Sequence, residues 1–599
     1  MSESRGDTDR GRVQQVGDLV RRGLNRRTFL GLSLSAAATW AVVEGAPAAF
    51  SDPHRERDLF RVEPGRDAAL AFPVSVASGD PATHGVVLWT KVDPAAIPGG
   101  GSAEVAYEVA PEGQGFGNPV LRGVAGADPG KDWTVKVKIE HDALNPFSTY
   151  EYRFILDGTA SRTGRFKTLP APDAQVPAIR FGYVSCQDYT NGFYNAHRYL
   201  ADEDLDFVVH LGDYIYESVH DGSFQNGQVR PIKLPSGRDH AEELVDYRDL
   251  YKIYKSDPDL QRLHERFSFV SIWDDHEFAN DSYGAYDTDS DNEGQNFAPE
   301  RRLAANQAWA EYTPTAVGFN PDGGPIGSIQ LYRSLQFGDL IDLVLTDERL
   351  YRDKPPCGIG RRYVSLGCPA RTSASRSMLG EEQRDWFVDQ ITGSSRVWKI
   401  WANEVMCMQL KLSAKFISDL FPWLPPINLY LNLDQWDGFP AERSRILAAI
   451  RDAGVQNFVG ITGDLHSFGA GYLRPDFDKP DTPPVGVSLL GGSVTSGNLT
   501  EMVTFGLGGI IVPPETELTP ALVGSNPHLA YFNSSTHGYV VMDVTRDSIT
   551  ATMKAVSTIR SQQAQLLTLR QFQVPAGQTQ LITTDRGDPR LGGAEQAPR

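Results

Sequence analysis

Between Gly212 and Glu217 the chain reads Gly-Asp-Tyr-Ile-Tyr-Glu, which sets the carboxylate of Asp213 three residues from the phenol of Tyr216. One turn of helix would bring both to one side. Alone, the pair also reads as a helix-start aspartate followed by a core tyrosine. Other stretches repeat the arrangement: Ser185-Cys186-Gln187, Asp274-Asp275-His276-Glu277 with Asn280 just after, Ala402-Asn403-Glu404, and Gly463-Asp464-Leu465-His466. Each delivers side chains of metal-ligating type, so a shared polynuclear metal site is the economical account.

The donor types narrow the metal. Cys186, Asp213, Tyr216, Asp464 and His466 offer a thiolate, a phenolate, two carboxylates and an imidazole. That set carries too much negative charge for one buried divalent ion. A phenolate favours Fe(III), whose charge holds a tyrosine ionised at neutral pH. The further oxygen donors Asp275, Asn280, Asn403 and Glu404 suit a hard cation such as Ca²⁺. Zn²⁺ accepts Cys, His and Asp but gains little from a tyrosine, and ranks second. Cys186 by itself also reads as a buried inert thiol. His276 is a candidate general acid or a group that orients Asp275. Arg349, Tyr351 and Arg352 read as a phosphate clamp or as a solvated turn.

The elements that must position these groups are buried strands. Apolar, β-branched runs precede each ligand: 179–184, 207–209, 269–273, 341–345, 398–401 and 458–462. Helical stretches lie between them, which predicts a layered α/β domain over 176–574 with ligands at the strand ends. Upstream, 70–168 holds short alternating strands such as Thr134 to Ile139 and no helical period, which predicts an immunoglobulin- or fibronectin-like β-sandwich. The Leu144 to Tyr150 stretch resembles a tyrosine corner, and Leu169-Pro170-Ala171-Pro172 reads as a linker.

Arg26-Arg27, the mild apolar run Leu32 to Val43 and Ala46-Pro47-Ala48 read as a twin-arginine export signal over 1–48. No other apolar run is long enough to span a bilayer. A secreted, periplasmic or cell-wall-associated protein is expected, without stable membrane insertion and as a monomer, with the twin-arginine machinery as export partner. The net charge of −19 disfavours stable binding to nucleic acid or anionic membranes. In an oxidising compartment Cys357 and Cys368 are the expected disulfide, closing a glycine-rich loop, while Cys407 reads as a buried small hydrophobe.

The motifs Ser185-Cys186-Gln187, Gly212-Asp213-x-x-Tyr216-Glu217, Trp273-Asp274-Asp275-His276-Glu277, Gly463-Asp464-Leu465-His466-Ser467 and Asp434-Gln435-Trp436-Asp437-Gly438-Phe439, with Glu442-Arg443, resemble the PhoD-type alkaline phosphatase and phosphodiesterase family. That family includes phospholipase D-like members and is related to purple acid phosphatases. The resemblance runs from about Phe72 to Val574. It implies a metallophosphoesterase-like core, Fe(III) on Cys186, Asp213, Tyr216, Asp464 and His466, and two Ca²⁺ ions drawing on Asp275, Asn280, Asn403 and Glu404 with Asp213 bridging. Zn²⁺ or Mn²⁺ is the alternative. Ordinary metallophosphoesterases open with Asp-x-His, and Cys186 stands in that place here.

The expected activity is hydrolysis of small phosphomonoesters and phosphodiesters, with His276, Arg349 and Arg352 as catalytic candidates. Phospholipase D-like cleavage is the runner-up, with phospholipid or nucleic acid only as substrates. A secreted, metal-stabilised binding protein without turnover is the alternative from another class. Tyr286 to Glu293 reads as a solvated loop in preference to a calcium loop. The apolar 416–431 stretch is a lid or packs over the sheet. Leu566 to Phe572, at helical spacing, predicts a C-terminal helical region that docks beside the site, followed by a flexible tail over 575–599.

Overall fold

The computed structural model describes Val43–Glu44 and residues 53–596, apart from 223, 226, 289–295, 362, 367, 421–422, 424–426 and 507–514. Most of the 1–48 export segment, much of the Tyr286 to Glu293 loop and part of 416–431 therefore lie outside the described residues.

Alternating strands over 76–167 form two facing sheets. Val76–Ala82, Gly85–Lys91 and Thr134–Glu140 pair antiparallel in one; Ala103–Pro111, Leu121–Ala127, Thr149–Leu156 and Gly164–Lys167 make the other. Val86, Leu88, Tyr107, Val109, Val137, Tyr152 and Phe154 interleave between them as one apolar core, the arrangement that period-two alternation dictates. The tyrosine corner is present: the Asn145 amide donates to the Tyr150 hydroxyl at 2.7 Å. The first sheet runs on into the next domain through Gly79, which pairs with Phe269. A Cβ at Gly79 would sit 2.6 Å from the Phe269 carbonyl oxygen, so only glycine permits the join.

Two further layers of strand build the α/β core. β1 (Ala178–Val184), β2 (Phe207–Leu211) and β3 (Phe269–Ile272) are parallel. Beyond β1 the sheet continues antiparallel through His537–Thr545, Ser548–Val556 and Leu566–Pro575. The second sheet holds β4 (Ile341–Leu345), β5 (Trp398–Asn403), β6 (Phe458–Thr462) and β7 (Gly486–Leu490), all parallel, with antiparallel strands at its flanks. Sequences such as Phe-Val-Val-His-Leu in β2 are buried throughout because both faces are covered. The sheets face each other, with the Tyr183 hydroxyl donating to the Leu489 carbonyl at 3.0 Å and the Phe207 and Phe337 rings stacked at 4.5 Å. Phe387, Ile391, Ile446 and Leu447 of the helices Glu381–Gly393 and Pro440–Asp452 cover the outer face of the second sheet. The fold is α/β, a two-sheet core preceded by the sandwich.

The C-terminal expectations are corrected. Leu566–Pro575 is a strand, with no helical region there. Met553 pairs with Arg570 and Lys554 with Thr568, so Leu569 is a bulge residue. The bulge shifts the alternation by one and leaves Leu569 and Phe572 three apart, which imitates helical spacing. Nor is 575–596 a flexible tail: Ile582–Asp585 pairs with Leu566–Pro575, and Ala594–Glu595 pairs with Leu529–Asn533. Glu595 also meets Arg570 and Arg586. Unpaired strand edges were available to it, and it filled them.

Candidate metal centre

Every parallel strand ends on the same side of the core, and the chain turns sharply there. Cys186, Asp213, Asp464 and His466 all hold positive φ, between 52° and 63°. A non-glycine residue in that region costs about 1 kcal/mol or more and persists where the surroundings enforce it. Four expected ligands sharing that strained conformation is the strongest local sign of a built site.

Cys186, Asp213 and His466 bring their ligand atoms within 4.8 Å of one another. Tyr216 joins them: its hydroxyl donates to Asp213 Oδ2 at 2.8 Å, lies 3.3 Å from His466 Nε2, and accepts from Ser496 Oγ at 2.6 Å. His466 Nδ1 is bonded to the Gly497 carbonyl at 2.7 Å, so Nδ1 carries the proton and Nε2 is presented as a lone pair. Burial, then Asp213, pushes the pKa values of the Cys186 thiol and the Tyr216 phenol well up, with Cys186 also raising that of Tyr216. Burial lowers His466 to about 4. Acidic groups packed together and starved of solvent await a cation.

A second group joins the first. Asp274, Asp275 and Asp464 lie within the same reach, as do Asp213, Asp275 and His276, so Asp213 and Asp275 link the clusters. Asp464, expected with the thiolate set, thus has its carboxylate grouped with Asp274 and Asp275. Burial raises it to about 6. Asp274 Oδ2, Asp275 Oδ1, Glu348 Oε2 and Glu404 Oε1 are buried acceptors without a hydrogen-bond partner. Orphaned buried oxygens at one strand-end surface fit hard cations. Glu404 Oε2 accepts from the Glu348 amide at 2.9 Å. Asn403 Oδ1 accepts from Trp436 Nε1 at 3.3 Å, and Asn280 Nδ2 donates to Asp281 at 3.3 Å.

Arg349 and Arg352 are not in a solvated turn; both are buried. Arg349 bonds Asp274 and Asp434 and reaches Asp464 at 3.0 Å and Asp275 at 3.5 Å. It brackets carboxylates, so its donors are already engaged. Arg352 Nη2 meets Asp434 at 2.5 Å, but its Nε and Nη1 lack partners. Burial opposes ionisation of Asp434, yet Arg352 and Arg349 hold its pKa well below the carboxylate range.

His276 Nδ1 is bonded to Glu217 Oε2 at 2.6 Å, leaving Nε2 for a substrate. Against the effect of burial, Glu217, Asp213 and Asp275 raise its pKa well above the usual value. Sequence reasoning missed Glu277 as a structural clamp. Its carboxylate accepts from the amides of Asp213, Tyr214 and Asp274 at 3.0, 2.7 and 2.8 Å, tying the loops after β2 and β3 together. It also missed Asp274 as a ligand-group member, and Ser496. Gln435, which donates to Asp464 Oδ2, and Asp434 lie in a stretch the sequence marks only through family resemblance.

A core of this layering, with ligands gathered from so many strand ends, defines a metallophosphoesterase-like hydrolase. Residues 181–553 match the PhoD-like phosphatase family, and 61–170 match the PhoD-like phosphatase N-terminal domain. Alkaline phosphatase D of Bacillus subtilis (strain 168) is 33% identical over 523 residues, which cover 86% of this chain and 82% of that protein. A solved structure described as "Structure of PhoD" superposes with a TM-score of 0.75 at 30% identity, covering 87% of this chain and 93% of that one. The chain belongs to the PhoD-like phosphatase family and is a phosphoric ester hydrolase.

Proposed function

We propose that this chain is a secreted, metal-dependent alkaline phosphatase that hydrolyses phosphomonoesters and phosphodiesters. The observation that carries the reading is the convergence of Cys186, Asp213, Tyr216 and His466 on one point. In this reading those four would hold Fe(III), with Asp464 a further candidate ligand. Two Ca²⁺ ions draw on Asp275, Asn280, Asn403 and Glu404, and Asp213 is shared. A thiolate beside a phenolate favours iron over Zn²⁺ or Mn²⁺. Bound there, the ions would supply charge against the phosphoryl oxygens and lower the pKa of a water.

The protein's own residues do the rest. Glu217 fixes the His276 ring and keeps it charged, so Nε2–H donates a proton to the leaving oxygen as its bond to phosphorus breaks. Glu277 fixes the spacing of Asp213 and Asp275 through the backbone of their loops. Arg349 bridges Asp274 and Asp434 and favours their ionised forms against the effect of burial. Arg26-Arg27 and the Ala46-Pro47-Ala48 site support export by the twin-arginine route, and among the described residues no helix is long and apolar enough to cross a membrane.

The test is turnover of p-nitrophenyl phosphate and its bis ester by the purified protein, before and after chelation. Turnover of both, lost on chelation, is expected. Tight phosphate binding without turnover would replace this reading by a metal-stabilised binding protein.

A further inference from the structure

The segment that follows the Asp275 loop carries a group of aromatic side chains that the chemistry above does not use. The Tyr283 and Tyr286 rings stack at 4.8 Å, and Tyr286 meets Phe297 at 4.9 Å. Tyr286 is 39% exposed, Phe297 54% and Tyr363 49%, among the few large apolar side chains left in solvent among the described residues. Scattered exposed aromatics are ordinary; Tyr286 and Phe297, in contact with each other and with Tyr283, are a contiguous set.

The set is tied to the metal centre by hydrogen bonds. Antiparallel bridges join Tyr283 to Tyr286 and Tyr286 to Phe297. Asn296 Nδ2 donates to the Asp287 carbonyl at 2.8 Å, and Asp287 pairs with Arg301 at 3.2 Å. Two residues before Tyr283, the Asp281 amide donates to Asp275 Oδ2 at 2.5 Å. The Gly284 amide donates to the Arg349 carbonyl at 3.0 Å. From the disulfide-closed 357–368 loop, the Tyr363 hydroxyl donates to Asp281 as well. The aromatic segment is thus joined by direct hydrogen bonds to Asp275 and Arg349.

We propose that Tyr283, Tyr286 and Phe297 form a leaving-group subsite that takes a planar aromatic group, such as the base of a mononucleotide, with Tyr363 tied to the same segment through Asp281. The inference rests on the phosphatase reading and adds the class of alcohol released. Stacked rings with hydroxyl edges match a π-face and polar rim better than an acyl chain. Acidic residues outnumber basic ones, 76 to 57, which disfavours a polyanionic strand and favours a single nucleotide.

The test uses the full-length, metal-loaded enzyme and compares kcat/KM for adenosine 5′-monophosphate with that for glycerol phosphate. In Tyr286→Ala and Phe297→Ala the ratio of the two is expected to fall about tenfold, mainly through KM for the nucleotide, since one stacking contact is worth about that much. Tyr286→Phe keeps the π-face and should retain most of the ratio, and kcat/KM for glycerol phosphate should stay at the wild-type level in the alanine variants, which a merely structural role would lower together with that for the nucleotide. A ratio equal to wild type in both alanine variants, with both esters turned over, overturns the subsite alone. Absence of turnover of either ester by the wild type overturns the phosphatase reading and the subsite with it.

Discussion

Arg349→Met separates two roles that a buried arginine beside a phosphate centre can have. The side chain is fully enclosed and bonds Asp274 and Asp434, with Asp464 and Asp275 on its remaining nitrogen. Methionine fills similar volume but removes the cation. Asp434 keeps Arg352 at 2.5 Å, so it remains paired. Asp274 loses the partner of Oδ1 while Oδ2 already has none. Removing one member of a buried ion pair costs about 3–5 kcal/mol. With Asp434 still satisfied, the loss falls mainly on Asp274, with a smaller share on Asp464, which gives up its 3.0 Å contact, and a destabilisation of about 4 kcal/mol is expected. Urea unfolding of the metal-loaded protein measures it, and KM for p-nitrophenyl phosphate is read alongside. The Asp274→Asn/Arg349→Met double variant should recover part of the loss, because the uncompensated charge has gone. Unfolding within 1 kcal/mol of wild type, together with a KM raised tenfold or more, would refute the reasoning and return Arg349 to the role of a phosphate clamp.

Cys186→Ala should remove bound metal and activity together while leaving the circular dichroism of the fold unchanged; metal retained at the wild-type level would contradict the thiolate ligand. Lys255 is buried with its ammonium on the Tyr214 hydroxyl at 3.0 Å, and burial lowers it to about 7. Below pH 7 both folded and unfolded chains carry its proton and the cost of burying the charge is present in full. Between about 7 and 10.5 only the unfolded chain keeps the proton, so stability from this group rises with pH. Lys255→Met should therefore stabilise the protein at pH 7 by a few kcal/mol, with the gain shrinking towards pH 10; a gain independent of pH would count against it. The Cys357→Ser/Cys368→Ser pair opens a loop whose ends are 11 residues apart, a change worth about 3 kcal/mol in chain entropy. Unfolding midpoints that match wild type under oxidising conditions would show that the crosslink contributes nothing.

What the sequence made legible was the set of strand ends. Doubly buried strands are runs of β-branched residues, and a carboxylate, thiol or imidazole straight after one has few structural reasons to be there. Cys186, Asp213, Asp275 and Asp464 were found that way, and Tyr216 through its spacing from Asp213. Partners that act by tertiary placement left no such mark. Glu277 looks like any acidic residue until three amides from two loops are seen to point at it. Arg349 follows a strand as a phosphate clamp would, and nothing in its neighbours in sequence announces four carboxylates from other segments. The strand at 566–575 was hidden by a single bulge residue, Leu569, that broke its alternation. The aromatic set needed Phe297 brought beside Tyr286 across a turn, which spacing alone does not convey.

The central claim is that Cys186 and Tyr216 hold a ferric ion at the meeting point of these strands. Elemental analysis of the unchelated protein, paired with its visible absorption spectrum, tests it most directly. The account predicts about one iron per chain with calcium, and a phenolate-to-iron charge-transfer band that Tyr216→Phe abolishes. Zinc or manganese in a colourless protein would contradict it.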